Sequence, residues 1–256
     1  MPLGFAANLT DFGANPSGLP FDPTQTSLGK SALKVWYNFS NKSSYTVSSG
    51  SSLLTLKDCS GNNANAIVTG TPYLDPGNIY FNRRPTLDIT TGQYLQVPTT
   101  HTLTTAPLSF VWVGLSNNTV GNGYLYSIGS SYGPNNYQNA GTTYLYMSDN
   151  VGDATISGSA PLTNTGVIAI SVFNGANSYY YTNAKTAIGS TNFANGNDIT
   201  STAIYIGDYY GTTGGTTWNI NGNLMQFMAF QGALTASDVS TLLINFGNYY
   251  GITIGS

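Results

Sequence analysis

The sequence of 256 residues has no glutamate, one cysteine, one histidine and only 7% charged residues. Without glutamate, the pair of Glu side chains that many glycosidases use as nucleophile and general acid cannot be present. Cys59 alone cannot form an intramolecular disulfide, and one Cys with one His provides no ligand cluster for a transition metal. No apolar run approaches the roughly 20 residues that a membrane-spanning helix needs. We therefore expect no membrane insertion and no bound transition metal.

The charges that remain are sparse and slightly acidic, with a formal net charge of −3. The only basic pair is Arg83 and Arg84, which is too little for a protein that neutralises phosphates, so we expect no nucleic-acid partner. Residues 1–8 lack the basic start of a secretory signal, and the first lysine is Lys30. The sequence therefore predicts that the chain is made in the cytoplasm.

The residues that are abundant are those of β-proteins, with 30 Gly and 19 Tyr together with many Ser, Thr and Asn. Residues 167–173 form an apolar run before an Asn-Gly turn, and residues 143–147 alternate before a Ser-Asp-Asn turn. This pattern predicts an all-β fold, a two-sheet antiparallel β-sandwich in which one face of each strand lies in a shared core.

One helix is predicted at the end of the chain, within residues 220–252. Thr235 and Asp238 have the spacing of a capping box, with the carboxylate at the positive end of the helix. The helical spacing then places four apolar side chains on one face, namely Val239, Leu242, Leu243 and Phe246. We expect this face to close one end or edge of the sandwich, with Tyr249 and Tyr250 completing the seal.

Several segments resemble, in the same order, those of concanavalin A-like, laminin-G-like jelly-roll domains. They are residues 33–39, the Asp-x-Ser-Gly-Asn turn within 56–66, the strands 94–98, 108–113 and 204–208, and the closing strand and helix within 220–252. The family includes lectins, glucanases and domains found in viral and phage structural proteins. The resemblance implies a concanavalin A-like jelly roll over residues 33–256 with a short C-terminal helix, whereas residues 1–32 match nothing in the family.

The candidates for catalysis are few. Asp149 and Asp153 could replace a pair of Glu, but their Ser, Asn and Gly neighbours are typical of a solvated turn. Residues 129–133 match the Gly-x-Ser-x-Gly elbow by letters, although no helix pattern or later His follows. His101 has no motif partner and is interpreted as a loop residue. We therefore expect no catalytic residue and no enzyme activity.

We also expect no cofactor. Some domains of the resembled family bind calcium through Asp, Asn and backbone carbonyls at an edge of the sandwich, so calcium is the alternative that stays open. The carboxylates that could serve are Asp58, Asp75, Asp149 and Asp208.

Aromatic and amide side chains in the predicted loops are the candidates for binding. Flat rings can stack on the apolar face of a sugar while amides and carboxylates bind its hydroxyls. The candidate glycan- or partner-binding residues are Tyr132, Asn136, Tyr137, Asp208, Tyr209, Tyr210 and Trp218. The alternative is that these tyrosines are ordinary strand residues, half-buried on an outer sheet face.

Residues 1–32 form a predicted extended N-terminal arm that is rich in Gly, Pro and Asn. Its apolar side chains follow no clear period, and the candidate anchors are Leu3, Phe5, Leu9, Phe12, Leu19 and Phe21. We expect these anchors to dock either on the chain's own sandwich or on a neighbouring subunit.

These features lead to the hypothesis of a non-enzymatic virion structural protein, such as a minor capsid, decoration or fibre subunit. In that role the arm would bind other coat or capsid subunits in an oligomeric assembly, and the lectin-like domain would face outward and could bind host glycans. The alternative is a carbohydrate-binding module of a cell-surface or exported protein. An enzyme built on Asp residues is a third class, which predicts glycan hydrolysis that Asp→Asn substitutions abolish.

Overall fold

The structure is a computed structural model, and it describes residues 22–117, 122–129, 134–139, 142–149, 152–159, 165–193, 202–209 and 219–256. These residues include one α-helix, α1 (Ala236–Tyr250). The strands are β1 (Leu33–Asn38), β2 (Tyr45–Val47), β3 (Leu53–Leu56), β4 (Ile67–Thr69), β5 (Tyr73–Asn78), β6 (Arg84–Ile89), β7 (Tyr94–Val97), β8 (Leu108–Ser116), β9 (Asn122–Ile128), β10 (Pro134–Asn139), β11 (Thr142–Asp149), β12 (Gly152–Ser159), β13 (Val167–Phe173), β14 (Gly175–Thr182), β15 (Gly189–Phe193), β16 (Ile204–Ile206) and β17 (Gly222–Gln231).

Two large antiparallel sheets contain most of these strands. The eight-stranded sheet has the order β15-β14-β13-β8-β17-β6-β5, with β1 also paired to β17. The seven-stranded sheet has the order β12-β11-β10-β9-β16-β7-β4, and β2 and β3 form a separate small pair. The strands run antiparallel throughout the two large sheets, so the predicted fold class is confirmed.

The main core lies between the two sheets. Alternating side chains of β8 and β17 belong to one buried cluster with side chains of β9 and β16, because residues two apart on a strand share a face. Phe110 of β8 lies 4.9 Å, between ring centroids, from Tyr126 of β9 in the other sheet. Phe110 also contacts Phe173 and Phe227 of its own sheet. Aromatic packing across the gap thus joins the two layers.

Helix α1 covers the outer face of the eight-stranded sheet. Its buried side chains form a second core with outward-facing residues of β8, β13 and β17. The predicted docking face is buried as expected, since Val239, Leu242, Leu243 and Phe246 all belong to this core. Its predicted position at an end or edge of the sandwich was wrong. The reason is that β8 and β13 are apolar on both faces, so the sheet itself has an outer surface that must be covered.

The start of α1 also holds residues that precede the first strand. Thr235 and Asp238 form the predicted capping box, in which each side chain accepts a hydrogen bond from the other's backbone amide. The amide of Ser27 donates to Asp238 Oδ1 at 2.7 Å, and the Ser27 hydroxyl donates to Oδ2. Burial alone would raise the pKa of Asp238, but the hydrogen bonds from Ser27 and Thr235 outweigh it and lower the pKa. Residues 22–32 are therefore attached to the same chain's helix, and the division of the chain at residue 32 stays a prediction.

A buried hydrogen-bond chain fixes the helix on the sheet. Trp36 Nε1 of β1 donates to Gln226 Oε1 of β17 at 2.9 Å, and Gln226 Nε2 donates to the Tyr250 hydroxyl at 2.7 Å. Burial raises the pKa of Tyr250, so this phenol keeps its proton. The guanidinium of Arg84 lies 3.9 Å from the ring centroid of Tyr249, which adds a cation–π contact at the same helix end.

Within the described part of the chain, no helix is both long and apolar enough to cross a membrane.

Candidate functional site

The outer face of the seven-stranded sheet carries a row of four tyrosine rings. The ring centroids of Tyr209 and Tyr124 lie 4.6 Å apart, those of Tyr124 and Tyr137 lie 5.0 Å apart, and those of Tyr137 and Tyr144 lie 4.8 Å apart. The planes become steadily more parallel along the row, with angles of 42°, 25° and 12°. We call these four residues the tyrosine row.

Strand pairing produces this row. Tyr137 of β10 lies directly opposite Tyr124 of β9 on one side and opposite Tyr144 of β11 on the other. Side chains that face each other across neighbouring strands are close enough to stack, and each aromatic pair adds about 0.5–1.5 kcal/mol. Both faces of the Tyr137 ring are occupied by its neighbours. Beyond Tyr144 the facing residue of β12 is Ser157, which is small and exposed, so no large side chain of β12 lies directly opposite the Tyr144 ring.

Two hydroxyl groups of the row, those of Tyr124 and Tyr137, are uncharged at neutral pH. Burial and, to a smaller extent, the neighbouring phenols raise the pKa of Tyr124 and of Tyr137. A protonated phenol can both donate and accept a hydrogen bond. The row is therefore suited to ligands that carry hydroxyl groups.

One carboxyl group adjoins the row. Asp208 follows β16 and is only 2% exposed, and the amide of Tyr209 donates to its Oδ1 at 2.8 Å. The backbone carbonyl of Asp208 accepts a hydrogen bond from the Ser127 hydroxyl on β9, at 2.9 Å, which fixes the segment to the sheet. Burial raises the pKa of Asp208 to about 6, against the lowering effect of the Tyr209 amide. A perturbed carboxyl beside an aromatic surface is typical of a functional site.

No cationic side chain belongs to this sheet. The seven Lys and Arg residues of the chain are Lys30, Lys34, Lys42, Lys57, Arg83, Arg84 and Lys185. None of them lies in β4, β7, β9, β10, β11, β12 or β16. The strands of this face therefore supply no cation to pair with an anionic ligand.

The structure brings together three of the residues that the sequence had selected, namely Tyr137, Asp208 and Tyr209. Sequence reasoning missed Tyr124 and Tyr144, as well as a second aromatic pair on the same sheet, Tyr94 and Tyr205, whose centroids lie 5.7 Å apart. The signal that could have found them is the repeated Tyr-x-Tyr pattern of β9 and β11. Other predicted residues lie outside the described residues, namely Tyr132, Tyr210, Trp218 and the arm anchors Leu3, Phe5, Leu9, Phe12, Leu19 and Phe21.

Asn136 is a correction, because its side chain faces the core and not the surface. It is fully buried between the sheets, where its Oδ1 accepts a hydrogen bond from the Tyr180 hydroxyl at 3.0 Å. Its Nδ2 donates to Ser171 Oγ at 3.4 Å, and the Tyr180 hydroxyl also contacts Thr143 Oγ1 at 2.8 Å. Because neighbouring residues of a strand point to opposite faces, Asn136 cannot share a surface with Tyr137.

The residues weighed for catalysis have structural roles where they are described. His101 Nδ1 accepts from the amide of Leu103 at 3.2 Å, so Nε2 carries the proton and donates to the Thr202 carbonyl at 2.6 Å. Burial lowers the pKa of His101, which keeps the ring neutral. The Gly-x-Ser-x-Gly letters lie between β9 and β10, where a strand follows and not the helix that the elbow needs.

Asp58 is one of the residues considered for calcium, and both of its carboxylate oxygens already accept hydrogen bonds from the protein. Its Oδ1 accepts from the amides of Trp36 and Ser60, and its Oδ2 accepts from the Ser60 hydroxyl and from the amides of Asn62 and Ala64. Within the described residues, no group of three or more His, Cys, Asp or Glu side chains is placed to hold a metal ion. The Asp-x-Ser-Gly-Asn turn is therefore a structural element that ties β1 to the following loop.

Neither a protein-family model nor a curated protein sequence matches the chain. Among solved structures, the binding domain of botulinum neurotoxin serotype D/C is similar, with a TM-score of 0.61 and 15% identity over 85% of this chain and 53% of that chain. This chain therefore has the fold of a β-sandwich jelly roll. Domain 4 of AbnA, an extracellular GH43 arabinanase of Geobacillus stearothermophilus, was solved in complex with arabinotriose and is similar with a TM-score of 0.61 and 16% identity, over 83% of this chain and 98% of that chain.

The binding domain of Paraclostridial Mosquitocidal Protein 1 has a TM-score of 0.60 and 18% identity, over 87% of this chain and 56% of that chain. This chain thus spans about half the length of the toxin binding domains, at 53% and 56%. At such identities the similarity shows the fold alone, so the function must be argued from the site.

Proposed function

We propose that the chain is a non-enzymatic, lectin-like binding domain that holds neutral glycans on the outer face of its seven-stranded sheet. The observation that carries this proposal is the tyrosine row, which presents phenol hydroxyl groups on a sheet face that α1 does not cover. Phenols of this kind can exchange hydrogen bonds with sugar hydroxyls in both directions.

The ring of Tyr144 and the phenol hydroxyls of the row supply the binding chemistry. The side of the Tyr144 ring that faces Ser157 can receive the C–H face of a sugar, while Asp208, which is 2% exposed, accepts from the Tyr209 amide and positions the other end of the row. The lack of cationic side chains in these strands favours neutral glycans over sialylated ones. Binding requires no second carboxyl group, whereas glycoside hydrolysis does.

The comparisons support the same class of function. Domain 4 of the arabinanase was solved in complex with arabinotriose. A botulinum neurotoxin type C neighbour is described as depending on two ganglioside molecules for cell entry. A glycan-binding module of an exported or cell-surface protein, with an extracellular location, accords with these neighbours.

A glycan array that contains arabinotriose and other neutral oligosaccharides, together with sialylated ones, tests the proposal. We expect binding of at least one neutral glycan and a loss of roughly tenfold in affinity for Tyr144→Ala, which corresponds to about 1.4 kcal/mol. Tyr144→Phe should retain more binding than the alanine variant because it keeps the ring. Tyr80→Ala is the matched control, since Tyr80 is a 62% exposed tyrosine in a turn of the other sheet's edge.

Two results would contradict the site. One is a wild-type chain that binds no glycan on the array. The other is binding that Tyr144→Ala and Tyr80→Ala weaken equally, because the loss would then not be specific to the row.

For the biological setting we propose a virion, in which residues 1–32 attach the domain to coat or capsid subunits. The support is the composition of the arm, with apolar anchors in a Gly- and Pro-rich segment. Removal of residues 1–21 should then prevent incorporation into particles while glycan binding by the sandwich persists. A purified chain that remains a monomer and has no affinity for any coat component would rule out this setting and leave the alternative of a cellular binding module.

A further inference from the structure

A separate cleft lies on the helix side of the molecule, between β14 and the start of α1. Its volume is about 460 Å³, which is within the usual range for small-ligand sites. The lining residues are Val172, Asn174, Asn177, Tyr179, Tyr181 and residues 233–236. They lie in β13, in β14, between these two strands, in the segment before α1 or at its first residue, so the cleft shares no residue with the tyrosine row.

Two aromatic rings form one wall of the cleft. Tyr179 and Tyr181 are two residues apart on β14 and therefore point to the same side of the sheet, while Tyr180 between them points into the core. Their ring centroids lie 6.4 Å apart at an angle of 42°. Tyr181 is buried, and Tyr179 is 36% exposed, so the outer ring is accessible to a ligand while the inner ring supports it.

Two amide side chains stand at the mouth of the cleft. Asn174 and Asn177 are exposed, and neither side chain makes a hydrogen bond within the described part of the chain. Their backbones are nevertheless fixed, because the amide of Asn174 donates to Ser178 Oγ at 2.8 Å and the amide of Asn177 donates to the Asn174 carbonyl at 3.0 Å. The backbone at both positions is thus fixed, and the donors and acceptors of the two side-chain amides are available.

The apolar residues at the base of the cleft and the absence of charged lining residues limit the kinds of ligand that it can bind. Val172 and Leu234 are buried apolar side chains, and Thr235 contributes a hydroxyl oxygen that already accepts from the helix. None of the lining residues is charged. An anionic or cationic ligand would therefore lose solvation without gaining an ion pair, whereas a polyol can use the amides and the rings together.

We propose that this cleft is a second saccharide-binding site, in which Tyr179 stacks on a neutral sugar and Asn174 and Asn177 bind its hydroxyls. The site is independent of the tyrosine row, since each can be occupied or removed without the other. A chain with both sites is bivalent, so it would bind a glycan-coated surface more tightly than either site binds a free sugar.

The test is a titration of the full-length, isotope-labelled protein with arabinotriose, maltotriose and cellotriose in separate experiments, followed by backbone amide chemical shifts. We expect at least one trisaccharide to shift the amides of residues 174–181 and 233–236. Tyr179→Ala should weaken this response by roughly tenfold or more, and Tyr179→Phe should retain most of it because the ring remains. Tyr80→Ala again serves as the exposed-tyrosine control.

The outcomes separate the two sites. Shifts at the cleft that persist in Tyr144→Ala support the second site even if the tyrosine row proves inactive. Shifts confined to residues around the tyrosine row with all three sugars overturn the second site and leave the proposed function standing. The inference is also overturned if no trisaccharide perturbs the cleft, or if Tyr179→Ala leaves the cleft response unchanged.

Discussion

The two sheets share one core but have opposite outer faces. The part of the outer face of the eight-stranded sheet that lies under α1 is mainly aliphatic, and Val111, Ile168 and Met228 are fully buried there. The outer face of the seven-stranded sheet is built from tyrosines, of which Tyr137 and Tyr144 are partly exposed. The alternation of side chains along the strands produces both outer faces. The chemistry of the outward-facing residues therefore decides whether another element must cover a face. A phenol tolerates water at its hydroxyl end, whereas an aliphatic side chain does not.

The largest expected effect concerns the covered face. Phe246→Ala should lower the free energy of unfolding by about 3–5 kcal/mol, because it leaves a cavity between α1 and the sheet. Ile244→Ala is the control on the same helix, since Ile244 is 41% exposed, and it should cost less than about 1 kcal/mol. Urea denaturation of both variants measures the difference. Similar losses in the two variants would mean that the helix is not a structural layer.

The next effect concerns the polar contact between the sheets. Tyr180→Phe removes the hydroxyl that donates to Asn136 Oδ1, and a buried acceptor left without a partner costs about 1–3 kcal/mol. Tyr179→Phe, one position away and exposed, should change stability by less than about 0.5 kcal/mol. A thermal or urea unfolding curve for each variant makes the comparison, and equal stabilities would show that the hydroxyl contributes nothing.

A smaller effect is expected on the open face. Tyr137 stacks on two rings and Tyr144 on one, so Tyr137→Ala should cost about 1–2 kcal/mol and more than Tyr144→Ala does. Chemical denaturation of the two variants tests the order. If Tyr144→Ala is the more destabilising, the stacked row is not what stabilises this face.

The most local effect is a protonation step beside the row. Because the pKa of Asp208 is raised to about 6, the folded state binds this proton more tightly than the unfolded chain does. Asp208 therefore favours folding at low pH, and this contribution is lost as the pH rises from about 4 through 6. The Tyr209 amide resonance should titrate with a midpoint near 6, since this amide donates to the carboxylate. The titration should disappear in Asp208→Asn, and a midpoint near 4 in the wild type would contradict the raised pKa.

Sequence reasoning succeeded where the structure depends on neighbours along the chain. The capping residues Thr235 and Asp238, the four apolar positions of α1 and the strand at residues 167–173 are all local patterns, and each is found in the structure. The choice of the surface that α1 covers could not be predicted in this way. It depends on which strands pair, and residues far apart in sequence decide that.

The candidate site was predictable only in part for the same reason. Asn136 and Tyr137 are adjacent and were selected together, yet one faces the core and the other faces outward. In the Tyr-x-Tyr pattern of β9, the first ring joins the row and the second, Tyr126, packs in the core. An irregularity in the pairing of β9 with β10 separates them, and no sequence period reveals such a shift.

The hydrogen bond between Tyr180 and Asn136 also has a mechanical consequence. Tyr180 lies in sequence between Tyr179 and Tyr181, the two tyrosines of the cleft. Asn136 immediately precedes Tyr137 of the tyrosine row. The bond therefore bridges the strands that bear the two proposed sites, one on each side of the molecule. Interdigitated side chains already resist sliding of the two layers, and a directional bond between specific atoms adds to their alignment. The sandwich can thus act as a rigid spacer that fixes how far apart two sugars must be to be held at once.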